Sequence, residues 1–385
     1  MKIKTICALA AAALFGANLY AAGFDNEKDP FILGMYSADP QTDKVFKMLS
    51  DSGVNYVHTY YKKRSTPEER RKILDLAQKY NMKVMLDIGA SNLVRTDIEN
   101  YMSGVMAEVK ATKDHPALGM WYLFDEPKTE QLPHVAKVRK ELSKVSDIPT
   151  SLVIHWREKW ENTRGYSDIW MVDTYPVRGE DFPNAPLQHC TAFVRGAART
   201  KRPGTPFIPV LQACDFTCFP DQARKLEDKS KLRYPNLVEM RFMAYSSLTF
   251  GVRGLFFYSL YHSHLEKPAG RAWWQDVLSP LLLEVKAFTD AVPRAWEVTA
   301  HDYKIDKKYN INLAYRARST GNFLVLTNNT PETRSVSIDL TGTAFPETGE
   351  LTPYAFTAPH KVQWNSGKLE VAELSPWETL IYRVK

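Results

Sequence analysis

The apolar run Ala117–Pro127, ALGMWYLFDEP, ends in two adjacent carboxylates, Asp125 and Glu126, and a proline. A second run, DIWMVD, ends in Asp173 and leads into Thr174, Tyr175 and Pro176. Asp87 falls near the end of MKVMLDIG, and Asp215 lies just beyond FIPVLQ, between Cys214 and Cys218. Carboxyl groups brought together raise one another's proton affinity, and partial burial does the same. A carboxylic acid kept protonated near neutral pH can protonate a leaving oxygen. A second carboxylate opposite it can act as nucleophile or activate water. That pair is what glycosidic cleavage requires. Adjacent residues of a strand point to opposite faces. Asp125 and Glu126 are therefore not expected to be the acid–nucleophile pair themselves; one catalyses and the other positions.

These residues need elements that deliver them to one place. Short apolar strands alternate with helical patterns along the chain: FILGMY from Phe31, VNYVHTY from Val54, MKVMLDIG from Met82, Ala117–Phe124, TSLVIH from Thr150, DIWMVD from Asp168, FIPVLQ from Phe207 and VRGLFFYS from Val252. Helices are expected over Thr42–Ser50, Thr66–Tyr80, Asp97–Ala111, Glu130–Lys144, Pro186–Lys201, Pro235–Phe250 and Asp276–Val292. Thr66 with Glu69 predicts a capping box. Pro209 weighs against a central strand at Phe207–Gln212. The count and spacing predict a (β/α)8 barrel, whose chemistry sits at the carboxyl ends of its strands. A doubly wound sheet is the runner-up, but the first strand runs into Ser37–Ala38–Asp39–Pro40 rather than a glycine-rich phosphate loop. After Ala295 short strands separated by turn residues predict a small antiparallel β-sandwich, with Trp377 and Tyr382 in its core or its seam with the barrel.

In the barrel, one rim gathers His58 and Tyr60, Asp87, Asp125 and Glu126, His155 and Trp156, Asp173 and Tyr175, Gln212, and Tyr258. Candidate catalytic residues are Glu126, Asp173 and Asp215. Candidate substrate-binding residues are Tyr60, Asp87, Asp125, His155, Trp156, Tyr175, Gln212 and Tyr258. Each has a plainer reading: strand-end aspartates cap loops, buried histidines satisfy core hydrogen bonds, and most aromatics are core. Glu239, on a helix, is expected to pair with Arg233, Arg241 or rim backbone. His262 and His264 follow the eighth strand and make a weak metal signature, so neither metal nor cofactor is assigned.

Composition bounds the rest. The chain has 385 residues, 44% hydrophobic, with a formal charge of +6. That suits one large domain and a small one. No basic block interleaved with aromatics argues for nucleic acid. Met1–Ala22 carries Lys2 and Lys4, an apolar Ile6–Ala17 and a small-residue end, the pattern of a signal peptide too short to span a membrane. The expected organisation is 1–22 signal peptide, 23–295 barrel and 296–385 β-sandwich, exported to the periplasm or beyond. Cys214 and Cys218 could close a local disulfide there. Asn328 begins a formal glycosylation acceptor, N-N-T.

The segments WYLFDEP, DIWMVDTYP and YPNLVEMRFMAYSSLTFGVRGLFFYS resemble the glycoside hydrolases of the large barrel superfamily whose acid/base glutamate ends the fourth strand. They most resemble secreted bacterial relatives with D-E-P at that place. The resemblance spans about Phe31–Pro293 and is weak for any particular substrate. It implies that Glu126 is the acid/base and that Asp125 takes the place of an asparagine contacting a sugar hydroxyl. In that superfamily the nucleophile is a glutamate ending the seventh strand, and here that position is Gln212. Three readings follow: Asp173 or Asp215 supplies the second carboxylate, Asp87 supplies it, or the barrel binds carbohydrate without cleaving it. A metal-dependent hydrolase using His58, Asp87, Asp125 and His155 is a lesser alternative.

Overall fold

A computed structural model describes residues 29–60, 66–88, 98–223, 231–292, 303–306, 310–318, 321–342, 345–354, 357 and 362–385. The segment 1–22, expected to be a signal peptide, and the expected domain boundary at 295–296 lie outside them. The strands β1 (Ile32–Met35), β2 (Tyr56–Thr59), β3 (Lys83–Asp87), β4 (Leu118–Asp125), β5 (Thr150–Val153), β6 (Ile169–Thr174), β7 (Phe207–Gln212) and β8 (Gly254–Tyr258) close into one parallel barrel in sequential order. The helices are α1 (Asp43–Asp51), α2 (Pro67–Lys79), α3 (Ile98–Thr112), α4 (Leu132–Leu142), α5 (Trp160–Thr163), α6 (Gln188–Thr200), α7 (Pro220–Ala223), α8 (Leu237–Leu248), α9 (Pro268–Trp273) and α10 (Ser279–Ala291).

Local chemistry sets these boundaries. Thr66 accepts from the Glu69 amide at 3.2 Å while Glu69 accepts from the Thr66 amide at 3.0 Å, closing the expected capping box at α2. The cap of α8 is Asn236, one residue beyond Pro235. Glu239 accepts from the Asn236 amide at 2.8 Å and binds Arg233 with both oxygens at 2.7 Å. Arg241 turns instead to Glu284, at 2.9 Å. The helix expected over Asp276–Val292 is α10 together with the end of a π-helical turn at Trp274–Leu278, which continues N-terminally into α9, a helix the sequence pattern does not mark. Pro209 sits inside β7 without ending it, opposite Val172 of β6.

The barrel interior is filled by Ile32, Tyr56, Met85, Met120, Ile169, Met171, Ile208, Val210 and Phe256. Phe256 needs room: a Cβ at Gly34 would come within 2.4 Å of its ring. Buried Arg253 ties β8 to the chain entering β1, donating to the Pro30 and Asp29 carbonyls at 2.8 and 2.7 Å. The alternate faces of the strands pack outward on the helices, with Trp121, Leu123, Trp170, Leu211 and Leu255 in the larger core.

Among the described residues eight further strands form the C-terminal domain: β9 (Tyr303–Asp306), β10 (Ile311–Arg318), β11 (Gly321–Asn328), β12 (Arg334–Asp339), β13 (Leu351–Pro353), β14 (Val362–Asn365), β15 (Lys368–Leu374) and β16 (Thr379–Val384). A five-stranded sheet, β13-β16-β11-β10-β9, faces a three-stranded one, β12-β15-β14. Residues of both build one core, including Leu313, Leu326, Ile338, Trp364 and Tyr382. Strand β9 carries alternate charges and escaped the sequence analysis. Trp377 belongs to the seam: it packs against Phe242 of α8 at 5.2 Å and donates to the Pro183 carbonyl at 2.5 Å. Asn328 is fully buried, its amide donating to the Glu332 and Ser375 carbonyls at 2.8 Å, so the folded chain cannot offer it for glycosylation.

Candidate active site

At the carboxyl end of the barrel a cavity of about 380 Å³ is lined by Tyr36, Tyr60, Asp125, Glu126, Val153, Asp173, Tyr175, Val210, Phe219 and Tyr258. Both carboxylates of the D-E-P segment reach it, against the alternation expected of a strand. The pairing of β4 with β5 explains how. Tyr122 pairs with Ser151 and Phe124 with Leu152, so Leu123 is an extra residue, a β-bulge. Before it Met120 and Tyr122 point inward. After it the inward face switches, which brings Asp125 to the cavity. Glu126 then leaves the strand in a left-handed conformation, φ +48°, with its amide on the Val153 carbonyl at 3.1 Å. A side chain there is strained by about 1–2 kcal/mol, and such strain clusters at functional sites.

One oxygen of Glu126, one of Asp173 and one ring nitrogen of His155 lie within 4.8 Å of one another. Asp173 is buried, and its Oδ1 makes no hydrogen bond among the described residues. Burial raises its proton affinity well above the ordinary carboxyl range, and the Glu126 and Asp125 charges raise it further. Glu126 is pushed upward by burial and then by Asp125, while His155 and Lys159 pull the other way. Burial also pushes Asp125 upward, opposed by hydroxyls of Tyr122 and Tyr60. Asp125 nevertheless opens to solvent at the cavity mouth, which screens that push. The Tyr60 hydroxyl donates to Asp125 at 3.1 Å.

His155 donates from Nδ1 to the Asp173 carbonyl at 2.9 Å, so its neutral form keeps a lone pair on Nε2. Among the described residues the Glu126–His155–Asp173 trio is where ligands for a cation converge. Filling it would require the trio to close to normal ligand spacing.

The aromatic wall is continuous. Tyr175 stacks on Tyr258 at 5.4 Å and on Phe219 at 5.5 Å. Beneath, fully buried His58 is packed among Tyr36, Tyr60 and Tyr122 with centroids 4.4, 4.5 and 4.7 Å away. Neither of its nitrogens has a hydrogen-bond partner among the described residues, and burial holds its pKa down at about 3.

Several expected residues lie elsewhere. Gln212 is fully buried and clamps two loops: its amide donates to the Val177 and Cys214 carbonyls at 2.7 and 3.0 Å and its oxygen accepts from the Val177 amide at 2.9 Å. It has no atom left for a substrate. Asp215 caps the turn Phe216–Cys218, accepting from the Thr217 amide at 3.0 Å and from the Thr217 hydroxyl. It does not line the cavity. Asp87 lies outside the lining too, beside Arg70, which donates to its carbonyl at 2.9 Å. Trp156 is exposed on the rim, with Lys159 5.1 Å over its ring. Tyr36 and Phe219 line the cavity and went unrecognised. Tyr36 closes FILGMY as Tyr258 closes GLFFY, a signal that was legible; Phe219 sits in an irregular loop that no periodicity marks.

A larger groove of about 1230 Å³ adjoins the cavity across Tyr60. Its walls include Val45, Met48, Tyr261, His262, Arg271 and Trp274, and Tyr261 is well exposed.

The fold is a closed (β/α)8 barrel followed by a small antiparallel β-domain. Solved structures share it over nearly the whole chain. A noncanonic maltogenic α-amylase from Thermotoga neapolitana superposes with a TM-score of 0.58 at 13% identity, over 94% of this chain and 99% of its own. An α-amylase from Geobacillus thermoleovorans complexed with acarbose gives 0.60 at 10% identity, over 94% and 99%. An isomaltulose synthase variant from Erwinia rhapontici in complex with D-glucose gives 0.57 at 11%, over 94% and 100%. At these identities the likeness is one of fold. No protein-family model and no curated protein matches the sequence.

Proposed function

We propose that the protein is a retaining glycoside hydrolase that cleaves O-glycosidic bonds of an oligosaccharide or polysaccharide. The observation that carries this reading is the approach of one carboxyl oxygen of Glu126 to one of Asp173, within 4.8 Å, in the lining of a tyrosine-rich cavity. Retaining enzymes hold their two carboxyl groups about 5–5.5 Å apart, inverting ones about 6.5–9.5 Å. The second carboxylate thus comes from β6, and Gln212 on β7 loses its weight as an argument for a binding-only barrel.

The pair shares one proton near neutral pH. Asp173, the more buried partner, holds it and serves as general acid. Glu126, eased by His155 and Lys159, is ionised and attacks the anomeric carbon. This reverses the role that the family resemblance implies for Glu126. The acid protonates the leaving oxygen as the C–O bond breaks and a glycosyl ester forms on Glu126. Asp173, now ionised, then takes a proton from the water that hydrolyses that ester. Asp125, oriented by Tyr60, is placed to contact a sugar hydroxyl. Tyr175, Tyr258 and Phe219 offer flat faces for the ring. The adjoining groove has room for further sugar units, which favours a polymeric chain over a simple glycoside. The N-terminal segment 1–22 supports export as the setting.

Azide rescue tests the roles. With an activated aryl glycoside, Glu126→Ala plus azide should give a glycosyl azide of inverted anomeric configuration, and Asp173→Ala plus azide one of retained configuration. The opposite pattern would restore Glu126 as the acid. Chelator should leave turnover unchanged; its loss would favour a metal held by Glu126, His155 and Asp173.

A further inference from the structure

We propose that Cys214 and Cys218 form a disulfide that fixes the Phe219 side of the candidate cavity to the barrel. Their Sγ atoms lie 3.0 Å apart as thiols. A disulfide bond is about 2.05 Å long, so rotation of the side chains over about 1 Å closes it. The turn between them is built for this approach. Asp215 caps Phe216–Cys218 through the Thr217 amide at 3.0 Å, bringing Cys218, four residues on, back over Cys214.

The two cysteines sit on different kinds of backbone. Cys214 is buried and held on three sides. Its carbonyl accepts from Gln212 at 3.0 Å, the preceding Ala213 donates to the Tyr258 carbonyl at 2.6 Å, and the Ala213 carbonyl accepts from Ser263 at 3.1 Å. Cys218 is half-buried and starts the outgoing arm. The next residue, Phe219, stacks on Tyr175 and Tyr258 at 5.5 and 5.9 Å and lines the cavity. A bond across the turn therefore couples the ring that faces the cavity to the anchored end of β7.

Access orders the chemistry. The Cys218 thiolate attacks a small-molecule disulfide, such as oxidised glutathione, forming a mixed disulfide and releasing one thiolate. Cys214 gives up its proton and attacks Cys218 Sγ, expelling the second. Two protein thiols become one disulfide while the oxidant's disulfide becomes two thiols, so protons and electrons balance. Cys190, fully buried on α6, has no cysteine partner among the described residues and stays a thiol.

The test uses the chain from Gly23 to Lys385, equilibrated with a glutathione buffer poised as in an oxidising secretory compartment. Free thiols are alkylated, the protein is digested without reductant, and the peptides are weighed. A Cys214–Cys218 link lacking the mass of two hydrogens, with Cys190 alkylated, is expected. Hydrogen exchange of backbone amides 213–223 should slow on oxidation of the parent and not of Cys218→Ser. Full alkylation of Cys214 and Cys218 would overturn the site. A link that leaves exchange over 213–223 unchanged would overturn the coupling to the cavity wall. Neither readout depends on the substrate, so failure here is distinct from failure of the hydrolase reading.

Discussion

Gln212→Glu would install a carboxylate at the strand end where the resembling enzymes keep a nucleophile, and it should damage the protein instead of improving it. The amide of Gln212 donates to two buried carbonyls, at 2.7 and 3.0 Å. Glutamate offers at most one donor, and only when protonated. Ionised, it would set an oxygen against both carbonyls in a site closed to water. The chain escapes by keeping the carboxyl protonated, which at pH 7 costs about 3.7 kcal/mol against an unfolded pKa of about 4.3. One hydrogen bond remains lost even then, about 1 kcal/mol. The loss at pH 7 is therefore about 3–5 kcal/mol. The sign follows from linkage: the folded variant binds the extra proton, so the penalty grows as pH rises above about 4.3 and shrinks to about 1–2 kcal/mol at pH 4.5. Urea denaturation of parent and variant at the two pH values measures it. A variant within 1 kcal/mol of the parent at pH 7, a penalty independent of pH, or a gain in turnover would refute the clamp.

Other consequences can be checked alongside. Glu126→Gln removes an ionised carboxylate whose folded pKa is held above its ordinary value by burial and then by Asp125, a penalty that is present at pH 7 and absent below the unfolded pKa. Thermal stability should rise at pH 7, with the gain fading near pH 4 where the unfolded carboxyls also hold protons; a gain equal at both would rule out electrostatic relief. His58, held near pKa 3 by burial, acts oppositely. The unfolded chain takes up its proton below about pH 6.5, so the parent should lose about 1.4 kcal/mol per pH unit below that, down to about pH 3, relative to His58→Phe. Parallel stability curves for the two proteins would contradict the depressed pKa. Tyr261→Ala should raise KM for long oligosaccharides about tenfold and leave an aryl monoglycoside unaffected, consistent with one lost stacking platform; equal effects on both would remove the groove from the substrate path.

The architecture was legible because its signals are short-range. Eight apolar runs alternate with helical stripes, and the capping pair Thr66–Glu69 is written in the sequence. The change of texture after Ala295 marks the turn to the β-sandwich strands. The rim residues followed from strand ends, which is why Tyr60, Asp125, Glu126, Asp173, Tyr175 and Tyr258 were found. What was not legible depends on single-residue irregularities. The bulge at Leu123 and the left-handed turn at Glu126 overturn strand alternation, so both carboxylates face one cavity. Gln212 and Asp215 differ from site residues only in the backbone groups that happen to surround them, and spacing cannot show those. Phe219 arrives through a loop whose path is fixed by the Asp215 cap, with no pattern of its own.

The most direct measurement is a hydrolysis screen of Gly23–Lys385 against a broad glycan panel, run beside Glu126→Gln and Asp173→Asn, with the anomer first released followed by NMR. The account predicts product from the parent alone, formed with retention, and a loss of about 10²–10⁴-fold in each variant. Glycan binding by all three proteins without product from any, or undiminished turnover in Asp173→Asn, would contradict it.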